Sequence, residues 1–530
     1  MLKLAARWTI GVLAGILSVG LLVALAERRF RRVREQLVNR GDEFRPERPM
    51  RLSRIAEAAR AGAGGHGDKS GHRLLPDGPQ ALGARLALVR AAANTLDLQY
   101  YAWHDDLAGR LMALAVLHAA ERGVRVRILL DDLHAHSTRR LLHLLAAHPH
   151  ITVRVYNPSV TRRAYFLNWL FSFHRLNRRM HNKALVVDGA AAILGGRNIG
   201  DVYFGLAANM NFRDIDVLTV GPAAQAVEAS FERFWDSEFA MPSAAFGVKE
   251  RAKEAEVDAI LDRLERSIDE HMSRRREQGK PQSSQSDQSL LGEMLAGRGI
   301  DLDALLRDLI WAPATVLDDV PGYAAGAGRL QQRLWDTLND IRSSLDIEAG
   351  YLIPDDEDLA RFRKLTAHGV AVRIVTNSLG TNDVLPAQIG YSRHRRALLA
   401  AGVELYELQP DARVRRALSL LGSSGGAGLH AKVMLADQRL SVIGSYNLDP
   451  RSADHNTELV LLIEGEAFAR ELAATMKQVR SPSQSYRVEI RRGRLVWIDD
   501  GSVRTQEPGA TLPARILAGC MRILPVEWLL

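Results

Sequence analysis

Between His181 and Asn198 the chain reads HNKALVVDGAAAILGGRN, with the spacing H-x-K-x4-D-x6-G-G-x-N. From His430 to Asn447 it reads HAKVMLADQRLSVIGSYN, which is H-x-K-x4-D-x6-G-S-x-N. The same residue types held twice at one spacing require the same local structure to be built twice. In an extended segment side chains i and i+2 share a face, so His181 and Lys183 should point one way, and so should His430 and Lys432. Asp188-Gly189 is a hairpin-turn signal, and Asp437 takes the same place in the second copy. Glycine at the end of each return strand lets the backbone approach a ligand closely, and Asn198 and Asn447 follow as amide donors.

The duplication reaches beyond the motif. TLDLQYY (95–101), VRVRILL (124–130) and ITVRVY (151–156) read as strands, and an Ala-rich apolar run over 107–122 reads as a helix stopped at Gly123. IEAGYLIP (347–354), a helix over 355–368 and GVAVRIVTNSL (369–379) parallel LDLQYYAW (96–103), its helix and GVRVRILLDDL (123–133). Gly123 and Gly369 lie 246 residues apart, close to the 249 that separate His181 from His430. Helices between strands predict an α/β fold. We therefore expect two pseudo-symmetric lobes, each a mixed β-sheet flanked by helices, with the active site at the lobe interface. The first lobe is placed over 75–245, a helical and linker region over 246–325, the second lobe over 326–480, and a C-terminal hairpin and apolar tail over 481–530. Within these spans 61–73 and 280–289 read as linkers, 250–278 as a charged helix, and 486–499 as a hairpin turning at RRGR.

Each copy of the motif offers an imidazole, an ammonium group and an amide, which together suit the oxygens of a phosphoryl group. Two facing copies put one histidine on each side of phosphorus: one attacks as nucleophile while the other protonates the leaving oxygen. Lys183, Lys432, Asn198 and Asn447 are the candidates for holding the phosphate. A histidine nucleophile needs an acceptor on its other ring nitrogen. Aligning DVLTV (216–220) with ELVLL (458–462) sets Asp216 opposite Glu458, and these are the expected orienting acids. Asp188 and Asp437 complete the His-Lys-Asp signature, but their turn positions predict a structural role more than direct chemistry. Asp131, Asp132, His134 and His136 resemble a metal cluster on paper, but phosphoryl transfer through histidine requires no metal and no cofactor, and none is expected. Arg175, Arg178 and Arg179, just ahead of His181, read as a headgroup clamp or a solvated face.

At 530 residues the chain exceeds one ordinary core, and 47% hydrophobic with 25% charged residues is a globular composition. The single cysteine, Cys520, excludes an intramolecular disulfide and a Cys-rich zinc site. A net charge of +8 suits an anionic partner, phospholipid or nucleic acid. Residues 8–26, WTIGVLAGILSVGLLVALA, carry no charge and are long enough to cross a hydrocarbon layer of about 30 Å as a transmembrane helix. Arg28, Arg29, Arg31, Arg32 and Arg34 follow, so residues 1–35 are expected to be a membrane anchor that leaves the catalytic part in the cytoplasm. Ala24-Leu25-Ala26 also resembles a signal-peptide cleavage site, against which the five arginines weigh. The apolar end, ARILAGCMRILPVEWLL, lies on a membrane or covers the core.

The repeated motif resembles the phospholipase D superfamily. RLNRRMHNKALVVDG, GGRNIGDVYFG, GYSRHRRALLAAGVELYELQP, LDPRSADHNTE and ILPVEWLL extend the likeness over roughly residues 75–530 and are similar to the bacterial cardiolipin synthase family, C type. The resemblance implies two phospholipase D-like lobes and ping-pong phosphatidyl transfer through a phosphohistidine. His181 would be the nucleophile and His430 the general acid, then base. Lys183, Lys432, Asn198 and Asn447 would hold the phosphate, and Asp216 and Glu458 would orient the histidines. The donor would be phosphatidylglycerol or phosphatidylethanolamine, the acceptor phosphatidylglycerol, and the location the bacterial inner membrane. Gly196 stands where many relatives carry Ser, as Ser445 does in the second copy. Three rival readings follow: a phospholipase D hydrolase with water as acceptor, a nuclease of the same superfamily, and a non-catalytic lipid-binding scaffold. The membrane segment and the lack of an aromatic stacking platform speak against nucleic acid as partner. Intact His, Lys and Asn in both copies speak against the scaffold.

Overall fold

The computed structural model describes residues 68–135, 138–159, 175–207, 210–246, 254–277, 300–322, 329–410 and 426–508, with isolated positions at Leu21, Leu25, Arg28 and Arg32. The anchor over 8–26, the linker over 280–289 and the apolar tail with Cys520 lie outside the described residues, apart from Leu21 and Leu25. Among the described residues no helix is long and apolar enough to cross a membrane.

The strands of the first half are β1 (Ser70–Leu75), β2 (Thr95–Tyr100), β3 (Arg125–Asp131), β4 (Ile151–Tyr156), β5 (Ala184–Val187), β6 (Ala191–Gly195), β7 (Met210–Arg213), β8 (Asp216–Val220), β9 (Ala240–Pro242) and β10 (Ile310–Ala312). Those of the second half are β11 (Ala314–Asp318), β12 (Ser344–Ala349), β13 (Ala371–Asn377), β14 (Glu404–Leu408), β15 (Gly426–Leu429), β16 (Lys432–Ala436), β17 (Leu440–Gly444), β18 (Leu459–Glu464), β19 (Ser485–Arg491), β20 (Arg494–Ile498) and β21 (Val503–Arg504). One sheet runs β10-β1-β8-β6-β5-β2-β3-β4-β9, the other β11-β18-β17-β16-β12-β13-β14-β19-β20-β21. Both are mixed in the same way: β2-β3-β4 and β12-β13-β14 are parallel, and each motif hairpin, β5-β6 or β16-β17, joins antiparallel. The parallel steps are made by helices Leu107–Glu121 and Asp356–Ala367, capped by Asp106 and Asp355 and ended at Gly123 and Gly369, whose φ values of 87° and 82° favour glycine. The expected linker at 61–73 is corrected at its end, because β1 begins at Ser70 and pairs with both β8 and β10. The connecting span over 246–325 also does more than link. Its helix Glu254–Glu277 packs on Leu107–Glu121, β10 joins the first sheet, and β11, after Pro313, joins the second.

Strand alternation separates the layers of the core. Leu185, Val187, Ala191 and Ile193 face the helices of the first half, whereas Ala184, Val186, Ala192 and Leu194 face the other sheet. Met434, Ala436 and Val442 face the helices of the second half, and Val433, Leu435 and Ile443 meet the first sheet across the middle. That central layer also holds Ile215, Val217, Leu459 and Leu461, so the two sheets share one apolar seam. Burying a Val or Leu side chain there contributes about 1.5–3 kcal/mol each, which binds the lobes together.

Candidate active site

Both histidines sit at the end of the seam where the chain crosses between lobes. Residues 210–213 of β7 pair with β15 of the second half, and Met180 bridges to Thr457. The two crossings match: His181 N–H donates to the Thr457 carbonyl at 2.9 Å, and His430 N–H donates to the Arg213 carbonyl at 2.8 Å. Each approach segment is pinned by a residue at the end of the third strand of its sheet. Asp131 accepts from Met180 N–H at 2.9 Å, and Asn377 exchanges hydrogen bonds with Leu429 at 2.7 and 2.8 Å. Asp131 is therefore engaged in holding the strand ahead of His181, and Asp132 accepts from Ser159 N–H at 2.8 Å. His136 lies outside the described residues.

The orienting acids are exchanged between the halves. His181 Nδ1 lies 2.9 Å from Glu458 of the second half, and His430 Nδ1 lies 2.7 Å from Asp214 of the first. Glu458 thus takes the expected place, but Asp216 does not. Asp216 sits inside β8 opposite Gly195, with its carboxylate on Arg85 at 2.8 Å and Arg197 at 3.2 Å. Asp214 lies two residues earlier, at the crossing between β7 and β8, where the chain leaves the other lobe's strand for its own sheet. The register shows the slip: Gly195 pairs with Asp216 and Gly444 with Val460, so Asp214 is the counterpart of Glu458. Matching Ile215-x-Val217 to Leu459-x-Leu461, which share the seam, would have found it.

The difference between Gly196 and Ser445 follows from this exchange. Ser445 Oγ donates to Glu458, which also accepts from Ser452 Oγ at 2.8 Å. A Cβ at Gly196 would collide with the Asp214 carboxylate. The shorter acid reaches its histidine only by lying where a serine side chain would begin. Gly-with-Asp and Ser-with-Glu are thus two solutions of one packing problem.

Lys183 Nζ and Lys432 Nζ each donate to the carbonyl of their own histidine, and Lys432 lies 3.1 Å from His430 Nδ1. Tyr101 stands edge-on to His181 at 5.1 Å. His430 is boxed by Tyr203, Phe212 and Tyr351 with centroids at 5.2, 5.2 and 6.0 Å. None of these rings is marked by the motif, because they arrive from other strands and turns. Asn198 is occupied within the protein: its oxygen accepts from Ala102 N–H at 3.1 Å and its amide donates to Tyr203 Oη at 3.0 Å. Its oxygen and one amide N–H thus fix the loop beside the site. The Asn447 side-chain oxygen is buried without a partner. Asp188 and Asp437 lie at the far end of their strands, about 20 Å from the histidines at roughly 3.3 Å per residue. Asp188 accepts the backbone N–H of Ala93, Asn94 and Thr95 at 3.0, 2.8 and 2.8 Å, and Asp437 those of Arg342, Ser343 and Ser344 at 2.9, 2.7 and 3.0 Å. Although the His-Lys-Asp signature groups them with the histidines, both aspartates hold their turns. Of the arginines ahead of His181, Arg175 binds Asn157 at 2.7 Å and Arg179 binds Asp131 at 3.4 Å.

Electrostatics favour an anion here. Burial, then the charges of Lys183 and Lys432, holds His181 well below the ordinary imidazole value. Burial and then Lys432 bring His430 down to about 4. Burial lowers both Lys183 and Lys432. Burial raises Glu458 to about 7 against the pull of Lys183. At Asp214 burial works against the charged form, but the hydrogen bond and charge of His430, with Lys432 and Arg197, hold the carboxyl below its usual value. Buried cationic groups crowded together are stabilised by an anion between them, and a phosphodiester has the charge and the oxygens to serve.

Residues 86–235 and 334–480 match the family described as "Cardiolipin synthase, PLD-like domain". The chain is 36% identical to cardiolipin synthase C of Escherichia coli (strain K12), over 90% of this chain and 100% of that protein. It is 26% identical to cardiolipin synthase A of Pseudomonas entomophila (strain L48), over 76% of this chain and 66% of that one. The crystal structure of a phosphatidylserine synthase from Haemophilus influenzae superposes with a TM-score of 0.56 at 14% identity, covering 90% of this chain and 98% of that chain, a likeness of fold. Two matched halves, a full-length relative above 30% identity and the mirrored histidine pair agree: this chain belongs to the cardiolipin synthase family of phospholipase D-like proteins.

Proposed function

We propose that the chain is a phosphatidyltransferase that makes cardiolipin, with phosphatidylglycerol or phosphatidylethanolamine as donor and phosphatidylglycerol as acceptor. The crossed pairing of histidines and acids carries this reading. An Nδ1–H held by Glu458 leaves the lone pair of His181 on Nε2 for attack on phosphorus. The Nε2–P bond forms, the P–O bond to the headgroup breaks, and the leaving oxygen takes a proton from His430 Nε2. In the second half His430 removes the proton of a glycerol hydroxyl of phosphatidylglycerol. That oxygen bonds to phosphorus, and His181 is released with cardiolipin formed. Lys183 and Lys432 balance the phosphate charge in both halves. Residues 8–26 anchor the enzyme in the inner membrane with its catalytic part in the cytoplasm, a placement that protease protection of intact spheroplasts tests.

Purified full-length protein in mixed vesicles of the two lipids is expected to yield cardiolipin by mass spectrometry, with His181→Ala yielding none. Isotopic labelling of each lipid names the donor. Phosphatidic acid without cardiolipin would make the protein a hydrolase and overturn the transferase reading.

A further inference from the structure

Behind Asp214 lies a fully buried charge cluster whose matching positions in the other lobe are uncharged. Arg85 and Arg197 both bind Asp216 Oδ2, at 2.8 and 3.2 Å, with all three side chains at most 1% exposed. Arg85 also donates to Tyr100 Oη at 3.2 Å. Arg197 donates from Nη2 to the Asp214 carbonyl, from Nε to the Tyr203 carbonyl at 3.1 Å, and from Nη1 to the Leu75 carbonyl at 2.9 Å. Asp214 is the acid on His430, and Tyr203 is the ring edge-on to it. In the second lobe the matching positions are Leu334, Tyr446 and Val460. Leu334 stands as far ahead of β12 as Arg85 does ahead of β2, Tyr446 follows Ser445 as Arg197 follows Gly196, and Val460 pairs with Gly444 as Asp216 pairs with Gly195. All three belong to that lobe's apolar core. The acid on His181 is held by the hydroxyls of Ser445 and Ser452.

Replacing buried ion clusters by apolar residues is often neutral or stabilising. The second lobe fills these three positions with Leu, Tyr and Val, so the fold does not require charges at them, although Asp319 accepts the Glu458 N–H there at 3.0 Å. We propose that Arg85, Asp216 and Arg197 are positioning residues for His430 alone: they fix Asp214 as an anion against His430 Nδ1 and so specialise that histidine for proton transfer. The inference rests on the reading of His430 as the proton donor in the first half-reaction.

The test compares two leaving groups in single turnovers of the full-length protein. Release of labelled glycerol from phosphatidylglycerol needs a proton from His430; release of 4-nitrophenolate from phosphatidyl-4-nitrophenol does not. Two variants are used: Asp216→Asn, and the triple Arg85→Leu, Arg197→Tyr, Asp216→Val that copies the second lobe. Either one, shown folded by its thermal melt, is expected to slow glycerol release at least about 10-fold while nitrophenolate release stays within about 3-fold. Equal losses on both substrates would reduce the cluster to a structural role, and no loss on either would remove the role altogether. His430→Asn must show the same split. If it loses both releases equally, the assignment of His430 as acid fails, and the cluster's role fails with it.

Discussion

Gly196 and Asp214 show how one residue's identity depends on another's length. A Cβ at 196 would occupy the space of the Asp214 carboxylate, whereas Ser445 donates its hydroxyl to the longer Glu458. Gly196→Ser is therefore expected to displace Asp214 from His430 and lower kcat by at least about 10-fold. Adding Asp214→Glu should recover part of the rate, because the second lobe carries that combination. Steady-state cardiolipin formation by the single and double variants checks it; a harmless single variant would show that the contact is soft. Residue chemistry was legible where the motif marks it. Lys183 stands beside His181, and Lys432 beside His430. Asp214 was missed because Asp214 and Asp216 differ by one strand repeat, and the alignment was anchored on the acids and not on the apolar Ile215-x-Val217 pattern that the pairing of Gly195 with Asp216 supports.

Each motif hairpin carries its chemistry at one end and its structural support at the other. Asp188 and Gly189 adopt φ of 53° and 62°, and Asp437 and Gln438 φ of 51° and 53°, the left-handed pair of a tight hairpin turn. The aspartates there gather three backbone N–H groups ahead of β2 or β12, which sets the register of the hairpin against the parallel strands. Asp188→Ala leaves those donors without their acceptor. It is expected to cost about 1–3 kcal/mol in urea unfolding, while kcat measured on the folded protein stays within about 2-fold. Asp437 is more exposed and should cost less, since water replaces its carboxylate. A large loss of kcat with unchanged stability would return these aspartates to the chemistry.

At the scale of the whole molecule, function depends on the join, since neither lobe holds a complete histidine–acid pair. Burial between the lobes also sets the pH response. An imidazole must be neutral to attack, and His181 is held well below its ordinary 6.5, so protonation inactivates only at lower pH. The acid limb of kcat/KM is expected below pH 6.5, and activity is expected to fall on the alkaline side as well, because His430 must carry a proton and Lys183 and Lys432 their charge, and burial lowers all three. A kcat/KM profile against pH checks both limbs; an acid limb at or above 6.5 would contradict the buried, cation-flanked histidine. The sequence by itself determined the duplication, the α/β character of both halves, the turns and the His and Lys pair that each motif carries. Those are local matters of spacing, alternation and turn chemistry, and they recur at 246 to 249 residues. Only the tertiary structure decided which acid lies on which histidine, that Asn198 bonds to Ala102 and Tyr203 beside the site, and that one lobe carries a buried charge cluster at positions that are uncharged in the other. Those facts depend on register across sheets and on contacts between residues up to 277 positions apart, which local pattern does not encode.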